Sequence, residues 1–232
     1  MTTRLFSVAL GAGVDTEPAW LSLLSAAERC RADRFLRADD RRTFVAAHAL
    51  KRLAIAAAVG TAPARLEFAV APGGKPVLTA PATACAFNLS HTEGCVALAI
   101  SNRAVGVDVE NTRGIAVDRA LAETALGPAA AAELGPDPST DDWRLAFFVA
   151  WTAREAILKA EGTGLAQSMA LVTIDGNSAR IDRRRWRLDR WALPDHQMAV
   201  AWTGPGAVDH TALDGVDLTA WCRDRLPSSS GR

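Results

Sequence analysis

Two long segments with helical periodicity, residues 39–60 and 141–162, constrain this chain more than any other feature. Each begins on paired aspartates, Asp39-Asp40 and Asp141-Asp142, and each ends on a glycine, Gly60 and Gly162. Acidic residues at a helix start and glycine just past its end are the usual stop and start signals. Phe44, Ala47, Leu50 and Ala54 make a core stripe on the first. Short β-like runs follow each helix: LEFAVAP, KPVLT, AFNLSH and CVALAIS after the first, then LVTIDG, SARIDRRRWRLDRW and HQMAVAWTG after the second. The coarse order is a long helix and then three or more short strands, twice over. It predicts an α+β fold of two pseudo-duplicated halves, each a small, mostly antiparallel sheet with packed helices. The halves are expected at 1–103 and 104–215, with 216–232 a partly disordered tail. An opening strand is expected at Leu5–Leu10, one helix over 17–37 (stripe Leu21, Leu24, Ala27, Cys30), and Ala-rich helix over 117–135.

Charge narrows the function classes. Lys+Arg and Asp+Glu balance at 26 each, so no bulk field argues for nucleic acid or an anionic membrane. The opening MTTRLFSVALGAGVD is broken too early by Gly and Asp for a secretory signal. No apolar run nears the roughly 18 residues that cross a bilayer. Cys30, Cys85, Cys95 and Cys222 show no C-x-x-C spacing, so reduced thiols and a cytoplasmic protein are expected.

Three polar patches stand where the pattern expects burial or an element end. In AVGVDVENTR, Asp108 and Glu110 leave one face of a predicted strand side by side. On the second long helix Glu155 and Lys159 are four apart and share a face. Ser90 and His91 end the run NLSH. Each has a bland reading: a solvated strand end, a surface ion pair, a structural histidine. Together, three carboxylates without a cysteine or paired-histidine set suit a hard divalent cation such as Mg²⁺, which completes its shell with water and phosphate oxygens. Such a cation, met by a pyrophosphate, answers the repulsion between Asp108 and Glu110. Arg29, Arg31, Arg41, Arg42 and Lys75, the last in the turn PGGKP, could hold the rest of an anionic ligand.

These residues resemble the 4′-phosphopantetheinyl transferases of the Sfp type. The matching motifs are G-V-D-V-E (Gly106–Glu110), W-T-A-R-E-A-I-L-K-A-E-G-T-G-L (Trp151–Leu165), F-N-L-S-H (Phe87–His91), G-G-K-P-V-L (Gly73–Leu78) and the basic block Arg29–Phe44. Order and spacing agree from about residue 17 to about residue 203. The resemblance implies an active site at the interface of the halves. It implies Mg²⁺-dependent transfer of the phosphopantetheine arm of coenzyme A to a serine of an apo acyl- or peptidyl-carrier protein, with adenosine 3′,5′-bisphosphate leaving.

By position, Asp108, Glu110 and Glu155 match metal-binding carboxylates, Lys159 a pyrophosphate contact, and Ser90 and His91 phosphate contacts. Lys75 and Arg42 fall near the nucleotide end, and Arg29 and Arg31 near its 3′-phosphate. Glu155 and Lys159 are the expected catalytic pair. Length favours the Sfp type, and so a monomer. Carrier docking is expected in residues 111–135. Two rivals stand beside this reading: a catalytically inactive carrier-binding scaffold, and a Mg²⁺-dependent pyrophosphohydrolase, whose acidic box is interrupted here by Leu158 and Lys159.

Overall fold

The structure, a computed structural model, describes residues 2–11, 17–163 and 167–225. The first half opens on β1 (Thr3–Ala9), followed by helices α1 (Glu17–Leu21), α2 (Ala26–Ala32) and α3 (Ala38–Val59). Strands β2 (Glu67–Val70), β3 (Pro76–Ala80), β4 (Ala86–Thr92) and β5 (Cys95–Ser101) complete it. The second half runs β6 (Val105–Asn111), α4 (Arg119–Leu126), α5 (Pro128–Ala132), α6 (Asp141–Glu161), β7 (Thr173–Asp175), β8 (Ser178–Ile181), β9 (Arg184–Leu193) and β10 (His196–Trp202). Last come β11 (Val208–Asp214) and α7 (Gly215–Arg225).

The duplication is real at the level of topology. Each half is a strand, a long helix, a hairpin and a second hairpin. In each, the opening strand pairs antiparallel with the closing one: β1 with β5, and β6 with β10. The second sheet keeps all five strands in the order β6-β10-β9-β8-β7. In the first, β2–β3 stands apart as a two-stranded unit, and the main sheet is β11-β1-β5-β4.

Several expected elements are redrawn. The helix over 17–37 is two helices, because Ser25 starts a new one. Its hydroxyl accepts from the Glu28 amide (3.2 Å), while the Glu28 carboxylate accepts from the Ser25 amide (2.9 Å), a reciprocal cap. Ala27 and Cys30 of the expected stripe are exposed, and Ala32 is the buried residue of α2. Asp39 and Asp40 lie within the first turn of α3 rather than capping it. The helix over 117–135 breaks at Gly127 (φ 88°), where a Cβ would stand 2.7 Å from that of Ala170.

The C-terminal segment departs most. β11 lies parallel beside β1, with Thr3 opposite Val208 and Ala9 opposite Asp214, so the chain returns to the first sheet. What reads as a tail from residue 216 is helical to Arg225. Leu218, Thr219 and Cys222 are buried, and the Thr219 hydroxyl accepts from the Trp20 indole N–H at 3.0 Å. Residues 226–232 lie outside the described residues. Cys30, Cys85, Cys95 and Cys222 are free thiols.

The halves meet through a shared core: Leu5, Ala97 and Ala99 from the first sheet against Val105, Val107, Val109, Met198, Val200 and Trp202 from the second. Both β4 and β6 are sheet edges, and an edge leaves backbone donors unpaired. Side chains of β4 supply the partners. Asn88 Oδ1 accepts from the Val107 amide (2.8 Å), and Ser90 Oγ accepts from the Val109 amide (3.4 Å). Among the described residues, no helix is long and apolar enough to cross a membrane.

Candidate active site

Helix α6 and strand β6 carry the acidic residues, and sequence explains their closeness. The Thr140 hydroxyl caps α6, accepting from the Trp143 amide at 3.2 Å, with Asp141 and Asp142 in the first turn, the favourable sign for a helix N-terminus. Where β6 crosses the helix, Gly106 is required. An added Cβ would stand 2.1 Å from the Ala156 carbonyl oxygen and 2.4 Å from the Ala160 nitrogen. Two residues further along β6 comes Asp108, level with the last two turns of α6.

There the two halves exchange polar contacts. The Lys159 ammonium donates to Asp108 Oδ1 at 2.6 Å and to Ser90 Oγ at 3.1 Å, and the Ser90 hydroxyl donates to the same Asp108 oxygen at 2.9 Å. The Trp151 indole N–H donates to Glu110 at 3.3 Å. Asp108 and Glu155 are buried, at 2% and 6% exposure, and buried charges demand partners. Asp108 Oδ2 and Glu155 Oε1 nevertheless have none.

The electrostatics follow from that crowding. Burial raises Glu110 most and the charge of Asp108 next, to a pKa of about 7 against the opposing pull of Lys159. Burial raises Glu155 too, with Lys159 opposing and Asp108 adding to the rise. Three carboxylates and one lysine thus feel one another as a cluster. Two acceptor-only oxygens there lack a donor. A hard cation fits that donor set. Among the described residues no three His, Cys, Asp or Glu side chains converge tightly enough to hold an ion unaided. Mg²⁺, which keeps several waters and takes one or two carboxylates, does not require them to.

Beside the cluster, a cleft of about 620 Å³ runs between α2–α3 and the β2–β3 unit, lined by Arg31, His48, Lys51, Phe68, Gly74 and Pro76 among others. Glu28 organises its floor. Its carboxylate accepts from Lys51 Nζ (2.8 Å) and Arg52 Nε (2.7 Å), and lies 2.8 Å from His48 Nδ1. Burial would raise Glu28, but the His48 hydrogen bond and the charge and hydrogen bond of Lys51 outweigh it and hold the carboxyl far below its usual range. His91 reaches solvent yet is hemmed in by protein. Lost hydration first, then the charges of His48, Lys159 and Arg31, push its pKa down.

Not every expected residue joins these two places. Arg31 lines the cleft, whereas Arg29 is exposed on α2 and donates to the Leu24 carbonyl at 2.5 Å. Arg42 donates to the Gly11 carbonyl (2.7 Å) and lies over Trp20, where with Asp39, Thr43 and Glu93 it lines a separate hollow. Lys75 turns inward to two main-chain carbonyls, Lys159 at 2.7 Å and Val105 at 3.0 Å. Conversely, Asn88, Glu28, His48 and Lys51 escape a reading of the sequence. Asn88 was signalled by its i, i+2 relation to Ser90, and Glu28 by the S-x-x-E spacing from Ser25.

Comparison with known proteins agrees with this geometry. Residues 104–201 match the model of the 4′-phosphopantetheinyl transferase superfamily, and residues 16–103 match that of a 4′-phosphopantetheinyl transferase N-terminal region. The 4′-phosphopantetheinyl transferase HetI of Nostoc sp. is 32% identical over 147 residues, 62% of each chain. A 4′-phosphopantetheinyl transferase of Bacillus subtilis is 29% identical over 153 residues, 65% of each chain. The protein psf-1 of Bacillus pumilus, of the same name, is 27% identical over 198 residues, 80% of this chain and 82% of its own. With two adjoining family matches spanning residues 16–201 and a polar cluster built from both halves, the chain belongs to the 4′-phosphopantetheinyl transferase superfamily.

Proposed function

We propose that this transferase moves the 4′-phosphopantetheine arm of coenzyme A onto a serine hydroxyl of an apo acyl- or peptidyl-carrier protein, releasing adenosine 3′,5′-bisphosphate, with Mg²⁺ required. One observation carries the reading: Ser90 of the first half, Asp108 of β6 and Lys159 of α6 bond to one another, beside two buried carboxylate oxygens without partners.

Asp108, Glu110 and Glu155 would supply the carboxylates for the Mg²⁺, one or two as direct ligands and the rest through its waters, and the ion when bound supplies charge neutralisation on the diphosphate. The chain's own groups do the rest. Glu155, its pKa raised by burial, accepts the proton of the carrier serine, directly or through a water. Lys159 places positive charge where the bisphosphate departs. Ser90 and His91 meet the phosphates at the mouth of the cleft, and Arg31, Phe68 and the Gly74–Pro76 wall receive the nucleotide. Arg42 and Arg29 lie outside the cleft lining and add to the surrounding positive field rather than contacts in the cleft. Ile115 and Leu121, exposed at 45% and 44%, support docking of the carrier on residues 111–135. A monomer suffices, since both halves of the site come from one chain.

The test is mass spectrometry of a panel of apo carrier proteins incubated with the protein, coenzyme A and Mg²⁺. A gain of one phosphopantetheine on a carrier serine is expected. Phosphopantetheine released with no carrier present would favour the hydrolase, and inertness towards every carrier would favour the scaffold.

A further inference from the structure

The turn joining β2 to β3 faces two ways. On one side Gly74 and Pro76 line the cleft. On the other, the turn is pressed against the C-terminal end of α6. Gly73 (φ 93°) approaches so closely that an added Cβ would stand 2.6 Å from the Gly162 carbonyl oxygen. Lys75 passes its ammonium through this contact to the carbonyls of Lys159 and Val105, at 2.7 and 3.0 Å. One first-half side chain therefore ties the start of β6 to the last turn of α6. Those two elements carry Asp108 and Glu110, and Glu155 and Lys159.

The chemistry of the contact is that of a tie. Two of the three ammonium donors meet main-chain acceptors from separate elements, which leaves little for a ligand phosphate. The Lys159 carbonyl is among the last four of α6, which have no partner within the helix, and a cation there also meets the negative end of the helix dipole. Burial lowers the pKa of Lys75 to about 8, with Glu161 opposing. Glu161 is itself held by Arg184 Nη1 (2.6 Å) and the Trp186 indole (2.9 Å).

We propose that Lys75 is a positioning residue: its two hydrogen bonds fix the backbone of Lys159 against the wall of the nucleotide cleft, and so set the reach of the Lys159 ammonium to Ser90 and Asp108. The inference rests on the transferase reading for its kinetic consequence, but its structural consequence stands alone. Filling of the cleft and placement of Lys159 share one turn, so a disturbance of the tie is felt at both.

The experiment compares the full-length wild type with Lys75→Met. Amide hydrogen exchange of the free proteins is expected to quicken at least tenfold in residues 71–76 and 159–163 together, with the centre of α3 unchanged. With an apo carrier and Mg²⁺, kcat is expected to fall at least thirtyfold, while the Kd for coenzyme A, measured by calorimetry without carrier, moves less than threefold. Unchanged exchange in either segment overturns the proposal. So does a Kd weakened more than tenfold with kcat preserved, which would make Lys75 a direct ligand contact. A wild type inert towards every carrier removes the transferase reading alone, and the exchange result still decides the tie. Should Lys75→Met not fold, Gly73→Ala keeps the ammonium but forces the turn off Gly162. The same split between kcat and Kd is expected there, and its absence refutes the proposal.

Discussion

Gly106→Ala tests the joint between β6 and α6. The added Cβ would lie 2.1 Å from the Ala156 oxygen, 2.4 Å from the Ala160 nitrogen and 3.0 Å from the Ala160 Cα. All three atoms belong to the main chain, so no rotamer change relieves the clash. Strand and helix must part by about 1 Å to reach ordinary contact, and overpacking of this kind costs roughly 1–3 kcal/mol. The upper end applies here because neither partner can swing aside. At about 2–4 °C per kcal/mol for a chain of this size, the melting temperature should fall by roughly 6–12 °C. The same displacement separates Asp108 from Lys159, now 2.6 Å apart, and a misplacement of about 1 Å can cost on the order of 100-fold in rate. Differential scanning fluorimetry and a carrier-transfer assay read the two effects. Gly11→Ala, at a position with nothing within 4 Å of the added Cβ, is the control. A Gly106→Ala protein melting within about 1 °C of wild type and turning over at a similar rate would refute the close-approach reasoning.

Glu155→Gln should abolish transfer yet leave coenzyme A binding largely intact by calorimetry, because the cleft residues lie elsewhere; wild-type turnover would remove Glu155 from the mechanism. Asp108→Ala should raise the Mg²⁺ concentration needed for half-maximal rate or end activity, and an unchanged metal titration would refute its assignment. Asn88→Ala strands the buried Val107 amide and should cost about 1–3 kcal/mol in urea unfolding; an unshifted midpoint would mean that another group takes the bond. In chelator, Glu110 with its pKa of about 7 keeps a proton that the unfolded chain loses near the ordinary glutamate value. That stability is complete at low pH and is lost as pH rises through about 7. Between pH 5 and 7.5 the wild type should therefore lose on the order of 2 kcal/mol relative to Glu110→Gln; parallel melting curves across that window would contradict the shift.

The two halves were legible because each is announced by a long helix with acidic first-turn residues and a glycine stop, followed by short runs. Local breaks had local signals: Ser25 and Glu28 at capping-box spacing, and the Gly127-Pro128 pair. The return of the chain to the first sheet had none. Val208–Asp214 alternates weakly, and its parallel pairing with β1 is a contact across some two hundred residues that no local pattern encodes. The stretch from residue 216 reads as the start of a partly disordered tail, yet one buried side, Leu218, Thr219 and Cys222, suffices to seat it as helix. Among the candidate site residues, only the spacing that puts Asp108 with Glu110 on one strand face and Glu155 with Lys159 on one helix face was legible from period. Direction was not. Arg29 and Arg31 are equally basic and two residues apart, but on a helix that spacing turns them to different sides, and where the cleft lies is decided by α3 and the β2–β3 unit. Lys75 likewise could face either side of its turn.

Why the site sits where it does follows from the edges. The two main sheets, one from each of two similar halves, leave β4 and β6 each with one unpaired side. Pairing them backbone to backbone would fuse the sheets and leave no gap between them. Here Asn88 and Ser90 stand in for a neighbouring strand, bonding the amides of Val107 and Val109 through side chains. Side chains at alternate positions satisfy alternate amides and hold the strands apart by their own length. Into the opening at the end of that seam come Asp108 and Lys159, and Ser90 belongs to both arrangements at once, closing the edge and bonding the charged pair. The residues that join the halves and the residues that build the polar cluster are therefore one set. Ser90→Ala should accordingly lower stability and transfer together, and a variant that loses only one of the two would separate the seam from the site.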